Sequence, residues 1–109
     1  MSESLDMAEI LGILVNSDKN LSHLISIVWA ARSKGKEVMI FFTHRGVLLT
    51  QDPRFKELES LAEMSLCKES YEAHNLDPEL EIPGIDESGF ANQSRHGDLI
   101  YYSDRYLVL

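Results

Sequence analysis

The chain has 109 residues, 10 Lys and Arg against 18 Asp and Glu, a formal net charge of −8, 44% hydrophobic residues and one cysteine. That length holds one domain, read here as residues 1–109 with residues 1–8 as a flexible N-terminus. The apolar share argues against a disordered chain, the acidity against a nucleic-acid or anionic-membrane footprint, and the lone cysteine against an intrachain disulfide or a cysteine-held zinc.

Met1 to Glu9 carries Glu3, Asp6 and Glu9 and no basic residue, unlike a secretory leader. No apolar run approaches the roughly 20 residues that span a bilayer. The expectation is a soluble, cytoplasmic protein without a membrane partner.

Ile10 to Val15 (ILGILV) is almost unbroken hydrophobe and stops at Asn16, Ser17 and Asp18. Such a run reads as a strand buried on both faces, as in a parallel sheet. Glu37 to Thr43 (EVMIFFT) repeats it. Between them Leu21, Leu24, Ile25 and Val28 fall at helical spacing, and Gly35 stands where a helix commonly ends in a left-handed residue. The three form a βαβ unit, whose crossover should be right-handed. Ile27, Trp29, Ala30 and Ala31 extend the helix's apolar surface beyond one stripe, which points to burial on two sides, beneath other elements or against another subunit.

Asp52-Pro53 has the form of a helix start, an N-cap acceptor followed by proline. Phe55, Leu58, Leu61 and Ala62 supply the apolar face that should follow. Met64 to Cys67 reads as a short strand and Glu69 to His74 as a helical piece. Residues 68 to 104 are too long for a structureless loop, so helices should break them up. Asp98 to Ser103 reads as a helical turn before a closing buried strand, Arg105 to Leu109.

In open α/β sheets functional groups gather beyond the carboxyl ends of the strands. That places Asn16, Ser17 and Asp18, then Thr43, His44 and Arg45, then Cys67 and Lys68, in candidate positions. Cys67 is the most informative. A thiol at a helix N-terminus beside a lysine is pushed toward thiolate, whereas Glu69 opposes this and a buried structural cysteine would be inert. No G-x-G-x-x-G, Walker loop or G-x-S-x-G is present. His23, His74 and His96 read as surface residues, and no cofactor or metal is expected.

The segments ILVNSD, AARSKGKEV, FFTHRGV, MSLCKES, ELEIPGI and SDRYLVL together resemble the DsrE/DsrF/TusD-like family of small sulfur-relay proteins. The resemblance covers roughly residues 9–109. It implies a three-layer α/β/α sandwich around a mostly parallel sheet of four or five strands, assembled as a homo-oligomer, a trimer or hexamer. It also implies a persulfide carried on Cys67, exchanged with sulfur donor and acceptor proteins. The chain departs from the family in two places. Pro83 and Gly84 stand where a further short strand is common, and Glu72-Ala73-His74-Asn75 stands where relay subunits carry a longer segment with a basic residue before a glycine.

Periodicity leaves two strand orders open, 2-1-3-4 and 3-2-1-4. The family order sets the second and third strands side by side, about 4.8 Å apart, which would bring His44 to Cys67 as its base or thiolate stabiliser. Asn16, Ser17 and Lys68 would then line the pocket, with Thr43 structural. Two functions follow: a thiol sulfurtransferase or sulfur carrier, or a non-catalytic oligomeric module that binds a small ligand or protein and keeps Cys67 as a structural residue.

Overall fold

A computed structural model describes residues 9–109; the N-terminal segment 1–8 lies outside the described residues. In chain order the elements are β1 (Ile10–Val15), α1 (Leu21–Ser33), β2 (Glu37–Phe42), two 3-10 segments (His44–Gln51 and Pro53–Leu58) and β3 (Glu63–Cys67). Then come α2 (Lys68–Ala73), a 3-10 turn (Glu87–Gly89), β4 (Phe90–Ala91), α3 (Ser94–Tyr102) and β5 (Arg105–Val108). The five strands form one sheet in the order β4-β3-β2-β1-β5, and every pairing is parallel. The architecture is α/β with helices on both faces, and β2 lies directly beside β3.

The two faces are covered unequally. Ile13, Val15, Ile40, Phe42 and Leu66 join the larger core with Leu24, Ile25 and Val28 of α1, Val47, Phe55 and Leu58 of the 3-10 segments, and Tyr71 of α2. Among the described residues the opposite face has only Leu14, Phe41, Cys67 and Leu99 as its buried hydrophobic cluster, with α3 as cover. Strands apolar on both faces need both covered, and here one helix serves the second face.

Several elements end as their residues dictate. Past α1, Gly35 sits at φ +77° while its N–H bonds to Arg32 O and the N–H of Lys36 bonds to Ala31 O, the double bond of a Schellman cap. Asn75 (φ +57°) closes α2 the same way, with its own N–H on Glu72 O and that of Leu76 on Tyr71 O. Asp52 caps the second 3-10 segment by accepting from the Arg54 N–H at 2.8 Å.

The structure departs from the expectations at several points. The helix after Pro53 is 3-10 and stops at Leu58: Phe55 and Leu58, three apart, share one face of a three-residue turn, and Ser60 at φ +69° turns the chain away. The preceding 3-10 segment, His44–Gln51, lacks a simple apolar period and was not expected. On α1, Ala31 belongs to the single buried stripe and Ile27 packs at its margin, whereas Trp29 and Ala30 face outward, Trp29 at 57% exposed, so no described element of the chain covers them and only the alternative of cover by another subunit is left open. β5 is an edge strand with all four residues exposed, because nothing pairs with its outer side among the described residues. His96 is also no free surface group, since its Nε2 lies 2.7 Å from the Tyr106 hydroxyl.

Two glycines mark close approaches. At Gly12 of β1 a Cβ would run into the Ser103 side chain at the end of α3. At Gly46, in FFTHRGV, a Cβ would lie 2.7 Å from the carbonyl carbon of Val15, so the chain can cross the end of β1 only without a side chain. Gly46→Ala should therefore destabilise the domain by about 1–3 kcal/mol, the usual cost of overpacking, while Gly97→Ala, with open space around it, should not. Urea denaturation of both variants checks this.

Candidate functional site

Cys67 ends β3 and is the N-cap of α2. Its sulfur accepts from the Ser70 N–H at 3.4 Å, as an N-cap acceptor does from the third helical residue. From the other side the Gln93 Nε2 amide donates to it at 3.6 Å. The same amide donates to Thr43 Oγ1 at 3.2 Å, and Thr43 Oγ1 lies 3.4 Å from Ser70 Oγ. The Ser70 hydroxyl in turn accepts from the His44 backbone N–H at 3.0 Å. Thr43, Ser70 and Gln93 thus form a polar collar around one thiol, contributed by the ends of β2 and β3, the first turn of α2, and the loop after β4.

Burial is the largest single influence on this thiol and pushes its pKa up. The hydrogen bonds from the Ser70 hydroxyl and N–H, the Gln93 amide and the Glu69 N–H together outweigh it, so the net pKa falls below the ordinary thiol value. The residue is only 3% exposed, yet it borders an open cleft of about 450 Å³ lined by Cys67, Lys68, Glu69, Glu72, Phe90, Ala91, Asn92 and Gln93. A larger groove of about 830 Å³ adjoins it and shares Lys68, Glu72 and Phe90, but Cys67 is not part of its wall.

The anticipated residues are distributed as follows. Lys68, the residue after Cys67, lines the same cleft. His44 follows β2 at φ +49°, with its side chain exposed. Adjacency of β2 and β3 does bring it to the Cys67 region, but through its backbone N–H on Ser70, and no bond from its ring to the sulfur is present among the described contacts. Asn16 and Ser17 follow β1, which β2 separates from β3, and they are not in the cleft lining. Asn16 bonds through its N–H to Leu109 O, and Ser17 Oγ accepts from the Lys19 N–H. Asp18 pairs with Arg45 at 2.8 Å, which joins the loops after β1 and β2; the Arg45 hydrogen bond holds the Asp18 carboxyl below its usual range.

Ser70 and Gln93 were not anticipated. A signal existed for Ser70, because an N-cap at Cys67 makes it the donor three residues on. None existed for Gln93, 26 residues away, which reaches the sulfur only because β4 pairs with β3 and aligns Ala91 with Cys67. Thr43, expected to be structural, is buried and bonded into the collar.

Among the described residues no group of three or more His, Cys, Asp or Glu side chains could hold a metal ion, and no helix is long and apolar enough to cross a membrane. Neither family models, curated proteins nor solved structures give a match to this chain.

Iodoacetamide alkylation of Cys67 should rise with pH about a midpoint below the roughly 8.5 of a free cysteine. Gln93→Ala removes a donor that favours thiolate, so its midpoint should move upward. The pH dependence of the rate in both proteins measures this, and an unmoved midpoint would remove Gln93 from the site.

Proposed function

We propose that the protein is a sulfur carrier that holds sulfane sulfur as a persulfide on Cys67 and passes it to a partner thiol. The observation that carries this reading is a single thiol at a strand end, held among hydrogen-bond donors that lower its pKa, on the border of an open cleft. The family resemblance of the sequence points the same way.

The chemistry needs one cysteine and no outside oxidant. The Cys67 thiolate attacks the outer sulfur of a donor persulfide. A new S–S bond forms on Cys67 as the donor S–S bond breaks, and the donor leaves as thiolate. An acceptor thiolate then attacks the outer sulfur on Cys67 and regenerates the Cys67 thiolate. Each step is a thiol–disulfide type exchange, favoured by a low pKa in the leaving thiol. Donors on Ser70 and Gln93 that stabilise the Cys67 thiolate therefore assist its departure in the second step. His44, exposed at the same end of the sheet, carries an imidazole suited as a base to take a proton from the Cys67 thiol before loading or from an incoming acceptor thiol. The resemblance adds a homo-oligomer, trimeric or hexameric, with protein sulfur donors and acceptors.

Burial of Cys67 to 3% exposure favours a second reading, a non-catalytic oligomeric module that binds a small ligand or protein partner and keeps Cys67 as a packing residue. Alkylation with and without denaturant separates the two, since a packing cysteine reacts only when the chain is unfolded.

Incubation with a sulfane donor should add the mass of one sulfur atom to the intact protein, removable by reductant and absent in Cys67→Ser. His44→Ala and His44→Gln should both slow this loading with folding intact, because neither alanine nor glutamine can act as a base. No added sulfur on the native protein overturns the carrier reading, and loading of both His44 variants at the wild-type rate removes His44 from it.

A further inference from the structure

The two edges of the sheet are protected very differently. At one edge, β4 is two residues long, and a short edge strand is a common guard against unwanted pairing. At the other, β5 is four residues long, with Tyr106, Leu107 and Val108 exposed and Arg105 its only charge. It has no proline, lysine or bulge to blunt it.

The backbone of this edge has a defined polarity. Leu109 directs both its peptide groups at β1, its N–H to Leu14 O at 2.8 Å and its O to the Asn16 N–H at 2.9 Å. Peptide groups alternate in direction along a strand. Those of Leu107 and Arg105 therefore also point at β1, while the N–H and C=O groups of Tyr106 and Val108 point outward. The faces are set by register. Tyr106 and Val108 lie beside Gly12 and Leu14 on the α3 side, and Leu107 lies beside Ile13 on the α1 side.

We propose that β5 pairs antiparallel with β5 of a second copy, about a two-fold axis through Leu107 and normal to the sheet. The axis keeps each face of the sheet continuous, which requires it to pass through a residue rather than between two. Centred on Leu107, Tyr106 of each copy opposes Val108 of the other, and these two symmetric pairs consume every outward N–H and C=O of β5. Centred on Tyr106, the strand would leave Val108 against Asp104, whose carboxylate already accepts from the Ile10 N–H. Centred on Val108, it would leave Tyr106 with no partner in β5. The chosen register makes Tyr106 and Val108 an aromatic and β-branched cross-strand pair. Charge agrees: in a chain of net charge −8, β5 carries no carboxylate, so two copies meet there without setting acidic groups against each other. The pairing deepens the homo-oligomer reading, makes the assembly even-numbered, and stands apart from the sulfur chemistry.

Two measurements test it, both at micromolar concentration. By light scattering the wild-type protein should have an even multiple of the chain mass, and Val108→Pro should halve the number of copies. The Val108 N–H faces away from β1, so proline there removes no bond within the fold, and circular dichroism should be unchanged. In a Cys67→Ser background, Leu107→Cys should form an intermolecular disulfide under mild oxidation. Opposed residues of a non-hydrogen-bonded antiparallel pair have Cα atoms about 4.5 Å apart, within disulfide reach. Tyr106→Cys and Val108→Cys face each other rather than themselves and should cross-link far less. A monomer overturns both this proposal and the homo-oligomer reading. An oligomer that keeps its mass in Val108→Pro and cross-links no faster at position 107 than at 106 or 108 overturns the β5 contact alone, as would loss of assembly on Trp29→Ala of α1. If Val108→Pro does not fold, the cross-linking pattern decides.

Discussion

A parallel sheet whose central strands are apolar on both sides must be covered on both sides, and this chain meets that requirement unevenly. α1, the two 3-10 segments and α2 bury one face of β1, β2 and β3 behind a continuous apolar layer. Among the described residues the other face has α3 alone, anchored through Leu99 over Leu14 and Phe41. Deleting a side chain on the thick face, such as Leu24 or Leu66, removes contacts on several sides, and the cavity term makes such losses expensive. On the thin face the same area must come from few residues, which explains why Gly12 is kept bare so that the end of α3 can seat against β1.

The cysteine belongs to the thin face. Side chains alternate along β3, so with Leu66 in the main core the next residue must point to the opposite side. Cys67 is therefore packed beneath limited cover and at the strand's end, where the ladder gives way to a helix start. A sulfur there meets both free N–H groups and the side chains that follow β4. The pKa effect of burial and that of the donors oppose each other at one atom, and the donors prevail. Such a balance suits the proposed carrier role, in which the thiol is held in place and leaves as thiolate.

The same shortage of cover shapes the other end of the sheet. β5 borders β1 on one side only, and α3 packs chiefly on β1 and β2, reaching β5 through His96. Tyr106 receives a hydrogen bond partner in His96 and a stacked ring at 6.1 Å, yet Val108 remains 54% exposed. Among the described residues no further element covers that edge.

The residues by themselves determined much of the scaffold. The runs ILGILV, EVMIFF and MSLC are too apolar and too short to be anything but buried strands between turns, and Gly35 ends α1 because a left-handed residue after a helix costs glycine nothing. These are local properties of neighbouring residues. The 3-10 form of residues 44–58 was not legible, since it depends on packing against the sheet and on the crossing at Gly46. The exposure of β5 was not legible either: its apolar residues match those of a buried strand, and position at an edge is a property of strand order. The composition of the site divides along the same line. Cys67 and Lys68 were legible from a strand running into a helix start. Gln93 was not, and neither was the separation of Asn16 and Ser17 from the thiol, because both follow from which strand lies beside which. A sequence specifies where a strand ends; only the long-range pairing of β2 with β3 and β3 with β4 decides which strand ends meet.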